Sequence, residues 1–192
     1  QTWHDHAAFC LNQSLYSRNG YCERCRGGRY LNAIGCVDVL SAASAYWRRK
    51  LMGADPYRHL RRVIVPSRYL LEKAREWGVP QKIRHIYNFT RNTVRLPANS
   101  READLIVFSG RLSPLKGLDV LLEAVREMDC RLTILGDGEL RDRVVQASET
   151  EHSGKIMWQG FCEGDEYWQY LEQASVLVLP SICPENCPLT IV

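Results

Sequence analysis

The feature that most constrains this chain is a regular alternation, from residue 104 to residue 179, between short apolar runs and segments whose apolar residues recur at helical spacing. Asp104-Leu105-Ile106-Val107-Phe108-Ser109 runs almost unbroken in apolarity up to Gly110, as a strand covered on both faces requires. Leu118, Leu121, Leu122 and Val125 then share one face of a helix predicted over 117–128. Arg131 to Leu135 is the next expected strand, and Gly136-Asp137-Gly138 the turn into a helix through Val144 and Val145. A strand over Lys155 to Gln159, a helix over Asp165 to Gln173 and a buried strand over Ser175 to Leu179, ended by Pro180, complete the series. Such alternation predicts an α/β fold: a Rossmann-like parallel sheet with helices on both faces.

Upstream the same alphabet is less complete. Arg62 to Val65 reads as a strand, Ser67 as a helix N-cap, Arg68 to Trp77 as a helix closed by Gly78 and Pro80, and Ile83 to Tyr87 as a further strand. The stretch from 88 to 103 mixes Asn, Thr, Pro and Ser with charges and has the character of a linker. The expected division is a partial N-terminal domain over 1–90, a linker over 91–103 and a truncated C-terminal domain over 104–192. Thr2-Trp3-His4-Asp5-His6 has the look of a strand end without its partners, and Ile191-Val192 falls inside an expected helix. On that reading the chain is a fragment of a longer protein.

Charge divides the chain in the same way. Residues 1–95 carry 17 Lys and Arg against 6 Asp and Glu, whereas residues 96–192 carry 8 against 16. Two halves of opposite sign suit two domains with different partners. In Trp47-Arg48-Arg49-Lys50 and Tyr57-Arg58-His59-Leu60-Arg61-Arg62, cations alternate with aromatic and apolar residues. That surface suits an anionic membrane or a phosphate-bearing acceptor, and equally an ordinary solvated basic face. No nucleic-acid motif accompanies it, so nucleic acid is not an expected partner. No apolar run reaches the roughly 20 residues of a membrane span, and the first residues lack a charged leader and an apolar signal core. The expected compartment is the cytoplasm, at the inner face of the membrane where the basic surface is engaged.

Four of the eight cysteines, Cys10, Cys22, Cys25 and Cys36, fall close together. In a cytoplasmic chain this suggests metal before disulfide. Cys22-Glu23-Arg24-Cys25 could supply two corners of a tetrahedral zinc site, with Cys10 and Cys36, or His4 and His6, completing it. Reduced, non-ligating thiols are the competing reading.

Two loops carry the candidate chemistry. Gly110-Arg111-Leu112-Ser113-Pro114-Leu115-Lys116-Gly117 stands where a parallel strand hands over to a helix, the place where open α/β sheets bind ligands. A glycine turn there admits a diphosphate, Arg111 and Lys116 bring cations to it, and the helix N-terminus adds partial positive charge. After Pro180, the polar loop Ser181-Ile182-Cys183-Pro184-Glu185-Asn186-Cys187-Pro188 places a carboxylate, Glu185, where it can hydrogen-bond sugar hydroxyls.

Taken together, Phe108-Ser109-Gly110-Arg111-Leu112 with Lys116-Gly117, then Leu135-Gly136-Asp137-Gly138-Glu139-Leu140, then Val178-Leu179-Pro180-Ser181 leading to Glu185, resemble glycosyltransferase family four of the GT-B fold over roughly residues 60–192. The resemblance implies retaining transfer from a nucleoside-diphosphate sugar. It assigns Arg111, Lys116 and Glu185 to catalysis, and Ser109, Gly110, Arg111, Lys116, Gly136, Gly138 and Glu185 to the donor. Glu185 would be the first of the family's paired glutamates, the second falling one position past Val192. Trp3-His4-Asp5-His6 is similar to the family's strand-end histidine segment, which puts His4 near the transferred sugar. No Asp-x-Asp triplet occurs, so side chains in place of a divalent ion would neutralise the leaving diphosphate, and no cofactor is implied. The implied acceptor is a glycan or lipid-linked glycan of cell-surface polysaccharide biosynthesis. The competing class is a module that binds a nucleotide sugar or phosphoglycan without turning it over.

Overall fold

The structure is a computed structural model describing residues 4, 6, 10–17, 20–26, 29–52, 60–78, 82–90, 101–151 and 154–191. The chain forms two compact units, one of Gln1–Thr90 with Cys183–Val192 and one of Arg91–Ile182. The final ten residues thus group with the first unit, while the sequence division carried them with the second.

In the first unit a short antiparallel pair, β1 (Tyr16–Ser17) and β2 (Gly20–Tyr21), precedes a 3-10 turn at Tyr30–Ala33 and helix α1 (Val39–Met52). A βαβ unit follows: β3 (Val63–Val65), α2 (Arg68–Glu76) and β4 (Ile83–His85), with β3 and β4 parallel and Val63 opposite Ile83. Ser67 caps α2 as expected, its Oγ accepting from the Leu70 amide at 3.1 Å. Leu70 and Ala74, one helical turn apart, bury against Val63, Val65 and Ile83 to form this unit's core. Lys73, on the same helix, reaches Glu23 at 2.7 Å and Glu76 at 3.1 Å and so ties the β1–β2 segment to α2.

Helix α1 was not anticipated. Its run Val39-Leu40-Ser41-Ala42-Ala43-Ser44 is mostly small or β-branched and gives no clean apolar stripe, and among its described side chains only Ala42 and Ala45 are buried. Asp38 starts it, accepting from the Ser41 amide at 2.9 Å. Of the basic segments, Arg48 and Lys50 stand exposed on α1 and Arg61 and Arg62 are exposed, while Tyr57-Arg58-His59 lies outside the described residues.

The second unit follows the alternation closely: β5 (Glu102–Ser109), α3 (Leu118–Glu127), β6 (Arg131–Leu135), α4 (Arg141–Gln146) running into a π turn, β7 (Ile156–Gly160), α5 (Gly164–Gln173) and β8 (Ala174–Val178). All strand pairs are parallel, in the order β7-β6-β5-β8. Residues of β5 alternate between two cores, as the pleat requires. Phe108 packs with Leu118, Leu121, Leu122, Val125 and Val144 on one face, and Leu105 and Val107 pack with Tyr167, Tyr170 and Leu171 on the other. Burying α3's four predicted core residues on one stripe stabilises the unit by roughly 1.5–3 kcal/mol per side chain.

Three expectations change. The strand expected from Asp104 starts at Glu102, so the linker gives up its last two residues. The strand expected to be buried, β8, is at the sheet edge among the described strands, with Val176 half exposed. Near the end, Leu189–Ile191 is a 3-10 turn where a helix was expected.

Candidate donor site

From β5 the chain moves outward through β6 to β7 and then crosses back to place β8 on the opposite side of β5. The connections from the C-terminal ends of β5 and β8 therefore diverge, which opens a crevice at the carboxyl edge of the sheet. Ser109 and Gly110 stand at that point. A cleft of about 380 Å³ opens there, lined by Ser109, Gly110 and Arg111 from the β5 end, Gly136 and Asp137 from the β6 end, and Phe161, Cys162 and Tyr167 beyond β7. Its size suits a nucleotide or sugar.

Two loops are joined backbone to backbone to form its floor. Gly110 donates its amide to the Leu135 carbonyl at 3.0 Å, Leu112 to the Asp137 carbonyl at 2.9 Å, and Leu140 to the Leu112 carbonyl at 2.9 Å. Gly136 makes this approach possible. At φ +139 a Cβ there would stand 2.0 Å from the Gly110 carbonyl oxygen, closer than any real contact. The Gly136 amide donates to Gly160 at 2.6 Å, and its carbonyl accepts from Trp158 Nε1 at 3.0 Å. Gly138 packs directly over the Leu112 backbone.

After Arg111 the chain makes a 3-10 turn over Pro114–Lys116 and enters α3 through Gly117, in the left-handed region at φ +68. A side chain at Gly117 would meet the Pro180 carbonyl at 2.1 Å, and the Ile182 amide donates to Leu115 at 3.0 Å. The β8 exit therefore packs directly on the turn that carries Lys116. Arg111 is exposed at the cleft and Lys116 half-buried on the turn. On the opposite wall Ser109 Oγ lies 3.3 Å from the Tyr167 hydroxyl.

The structure brings Ser109, Gly110, Arg111 and Gly136 together around one cleft, with Gly138 behind and Lys116 on the adjoining turn. Glu185 belongs to the other unit. There its loop is held at three points: His6 Nε2 donates to the Pro184 carbonyl at 3.3 Å, Ser67 Oγ to Asn186 at 2.5 Å, and Asn88 Nδ2 to the Cys187 carbonyl at 2.9 Å. His4 is exposed on irregular backbone, whereas His6 is buried and meets Tyr69 edge-on at 5.9 Å.

Sequence reasoning missed Phe161, Cys162 and Tyr167 as cleft residues, and His6, Ser67 and Asn88 as anchors of the Glu185 loop. The first three follow β7, as the loop after a parallel strand in such a sheet should, and could have been found by that rule. The anchors depend on long-range contacts that no local pattern encodes.

Comparison with known proteins agrees with this architecture. Residues 92–192, just over half of the chain, match the family described as glycosyl transferases group 1. The chain belongs to that family. An uncharacterised glycosyltransferase of Methanocaldococcus jannaschii is 25% identical over 120 residues, 62% of this chain and 33% of its own length. Potato granule-bound starch synthase 2 is 37% identical over 86 residues, 42% of this chain and 11% of the synthase. The chain thus spans a third or less of these relatives. Among solved structures, Anabaena HepE in complex with UDP superposes with a TM-score of 0.56 at 16% identity, covering 96% of this chain and 47% of HepE. S. aureus TarM, solved with fondaparinux, alpha-GlcNAc-glycerol and UDP, superposes at 0.55 with 19% identity, covering 63% of this chain and 25% of TarM. These neighbours are GT-B glycosyltransferases, and the fold of this chain is of that type.

Proposed function

We propose that the protein carrying this chain is a retaining glycosyltransferase that takes its sugar from a nucleoside diphosphate, and that the second unit binds the donor. The carrying observation is the glycine-floored cleft at the sheet's switch point with Arg111 at its edge, in a chain of this family. Backbone packed as closely as Gly110 on Gly136 leaves room for a diphosphate against the strand end, and the start of α3 adds partial positive charge. Arg111 and Lys116 are the cations assigned to the leaving diphosphate. Negative charge grows on that group as the glycosidic bond breaks, so fixed cations there stabilise the transition state more than the ground state. Phe161 and Tyr167 offer aromatic surface for the base. TarM and HepE were both solved in complex with UDP, which makes uridine the base to try first.

Glu185 is assigned to the donor sugar's hydroxyls and His4 to the neighbourhood of the transferred sugar. The acceptor we propose is a lipid-linked glycan of cell-surface polysaccharide synthesis, met at the cytoplasmic face of an anionic membrane. Leu40, Trp47 and Leu51 recur at helical spacing on α1 and are 81%, 54% and 84% exposed, with Lys50 Nζ 5.0 Å from the Trp47 ring and Arg48 beside it. Apolar and aromatic side chains interleaved with cations suit a headgroup boundary. Among the described residues no helix is long and apolar enough to cross a membrane.

The test is sugar transfer by the full-length protein from UDP-sugars, with the anomeric configuration of the product read by NMR. A retained configuration, with activity that persists in a metal chelator, is expected. An inverted product contradicts the retaining assignment, and binding without turnover would make the protein a nucleotide-sugar module.

A further inference from the structure

The cysteine cluster has no part in the donor cleft, yet the fold gathers it. Cys10, Cys22, Cys25 and Cys36 all line a single cavity of about 10 Å³ in the first unit. That is close to the volume of one water-sized sphere, too small for an organic ligand and sufficient for an ion. Cys10 and Cys25 are buried, Cys22 and Cys36 half-buried, and none is in a disulfide.

Local backbone explains the convergence. The Cys10 amide is fixed on the His6 carbonyl at 2.8 Å, and the Cys10 carbonyl accepts from the Gln13 amide at 3.0 Å. An Arg26 amide bond to Glu23 at 3.0 Å closes the turn across Cys22-Glu23-Arg24-Cys25, and the Cys22 amide is fixed on Leu15 at 2.9 Å. Cys36 follows the 3-10 turn with its amide on Ala33 at 2.8 Å, and Asn32 from that turn holds the Arg24 carbonyl at 3.1 Å.

We propose that Cys10, Cys22, Cys25 and Cys36 bind one zinc ion as a closed tetrathiolate that staples this segment of the first unit. Among the described residues no group of three or more His, Cys, Asp or Glu is spaced to hold an ion as it stands, so binding draws the four sulfurs inward to the roughly 2.3 Å of a zinc–sulfur bond. The histidines do not complete the set: His4 is exposed, and His6 is engaged by Pro184 and Tyr69. Four soft ligands with no open position make a structural site, and thiolate selects zinc over magnesium or calcium. The segment needs such a staple. Among the described residues of 10–36 its strands are two residues long each and the rest is turns and irregular backbone, and its buried hydrophobic residues there are Cys10, Leu15, Cys25 and Ala33. So little apolar burial leaves ordering to be supplied by the metal.

The test is elemental analysis of the protein purified under reducing conditions without chelator, followed by titration with a mercurial thiol reagent in the presence of a zinc-sensitive dye. About one zinc per chain, released as roughly four thiols are blocked, is the expected result. Cobalt loading should give thiolate-to-cobalt charge-transfer bands and intense tetrahedral d–d absorption, both lost in Cys22→Ser/Cys25→Ser and kept in Cys162→Ser. A protein that stays below about a tenth of an equivalent after zinc loading, with all eight thiols freely reactive, overturns the proposal. So does a native mass lower by about four hydrogens, which would show two disulfides, or an iron–sulfur chromophore. The metal-to-thiol ratio is read on unmutated protein, so the result stands even where the double variant does not fold.

Discussion

At Gly136 there is no room for a side chain. A Cβ would press on the Gly110 carbonyl from 2.0 Å, and the contacting atoms are backbone, so relief requires the two loops to separate. Gly136→Ala should therefore cost about 2 kcal/mol or more of unfolding free energy, measured by urea denaturation, and should weaken nucleotide binding as Arg111 moves with its loop. At Lys116 the effect belongs to the reaction. Lys116→Ala should leave folding unchanged and lower the transfer rate of the full-length protein at least about tenfold, on the order of 1.4 kcal/mol of barrier, with unchanged turnover refuting the assignment. Arg111, Lys116 and the glycines were legible because a strand followed by a glycine and paired cations has a mechanical reason to exist. Of the two N-terminal histidines, sequence reasoning singled out His4, whereas the structure buries His6 against Pro184, because burial depends on the tertiary partner and not on the neighbouring residues.

The elements repeat this contrast between local and distant causes. Helix α3 was legible to within a residue or two because its apolar stripe is its packing face, and Leu122→Ala in that stripe should cost roughly 2–5 kcal/mol in chemical denaturation. Helix α1 was illegible because the buried side chains among its described residues are small, Ala42 and Ala45, while Leu40, Trp47 and Leu51 stand outside. If that outer face meets lipid, Leu40→Glu/Leu51→Glu should abolish cosedimentation with anionic vesicles while preserving the helical circular dichroism signal; no vesicle binding by the unmutated protein counts against the membrane assignment. At the start of the sheet, Arg131 on β6 forks onto Asp104 of β5 at 2.8 and 2.9 Å and also reaches Glu102. The guanidinium holds the Asp104 carboxyl down at about 2, below its ordinary 3.8. A depressed carboxylate contributes stability above its unfolded value and loses it as the pH falls through the folded one. The contribution should be constant above about pH 5 and fade from pH 4 toward 2, and in Asp104→Asn that part of the acid dependence of unfolding should vanish.

For the whole molecule, the strand–helix alternation was enough to give the parallel sheet and its crevice, since each parallel connection needs a crossover and each crossover needs a helix. It did not give the edge position of β8, which depends on strand order, or the grouping of Cys183–Val192 with the first unit, which depends on contacts far along the chain. The candidate cleft, by contrast, is lined by residues of one unit, and two of its loops are marked clearly in the sequence, so nucleotide binding to it can be tested on this chain directly. The most direct measurement is isothermal titration of the chain with UDP and other nucleoside diphosphates in metal-free buffer, alongside Arg111→Ala. Saturable binding of one diphosphate, weakened at least about tenfold in the variant, is the result expected of a cation-lined donor site. No binding by the folded chain, or equal binding by the folded variant, would contradict it.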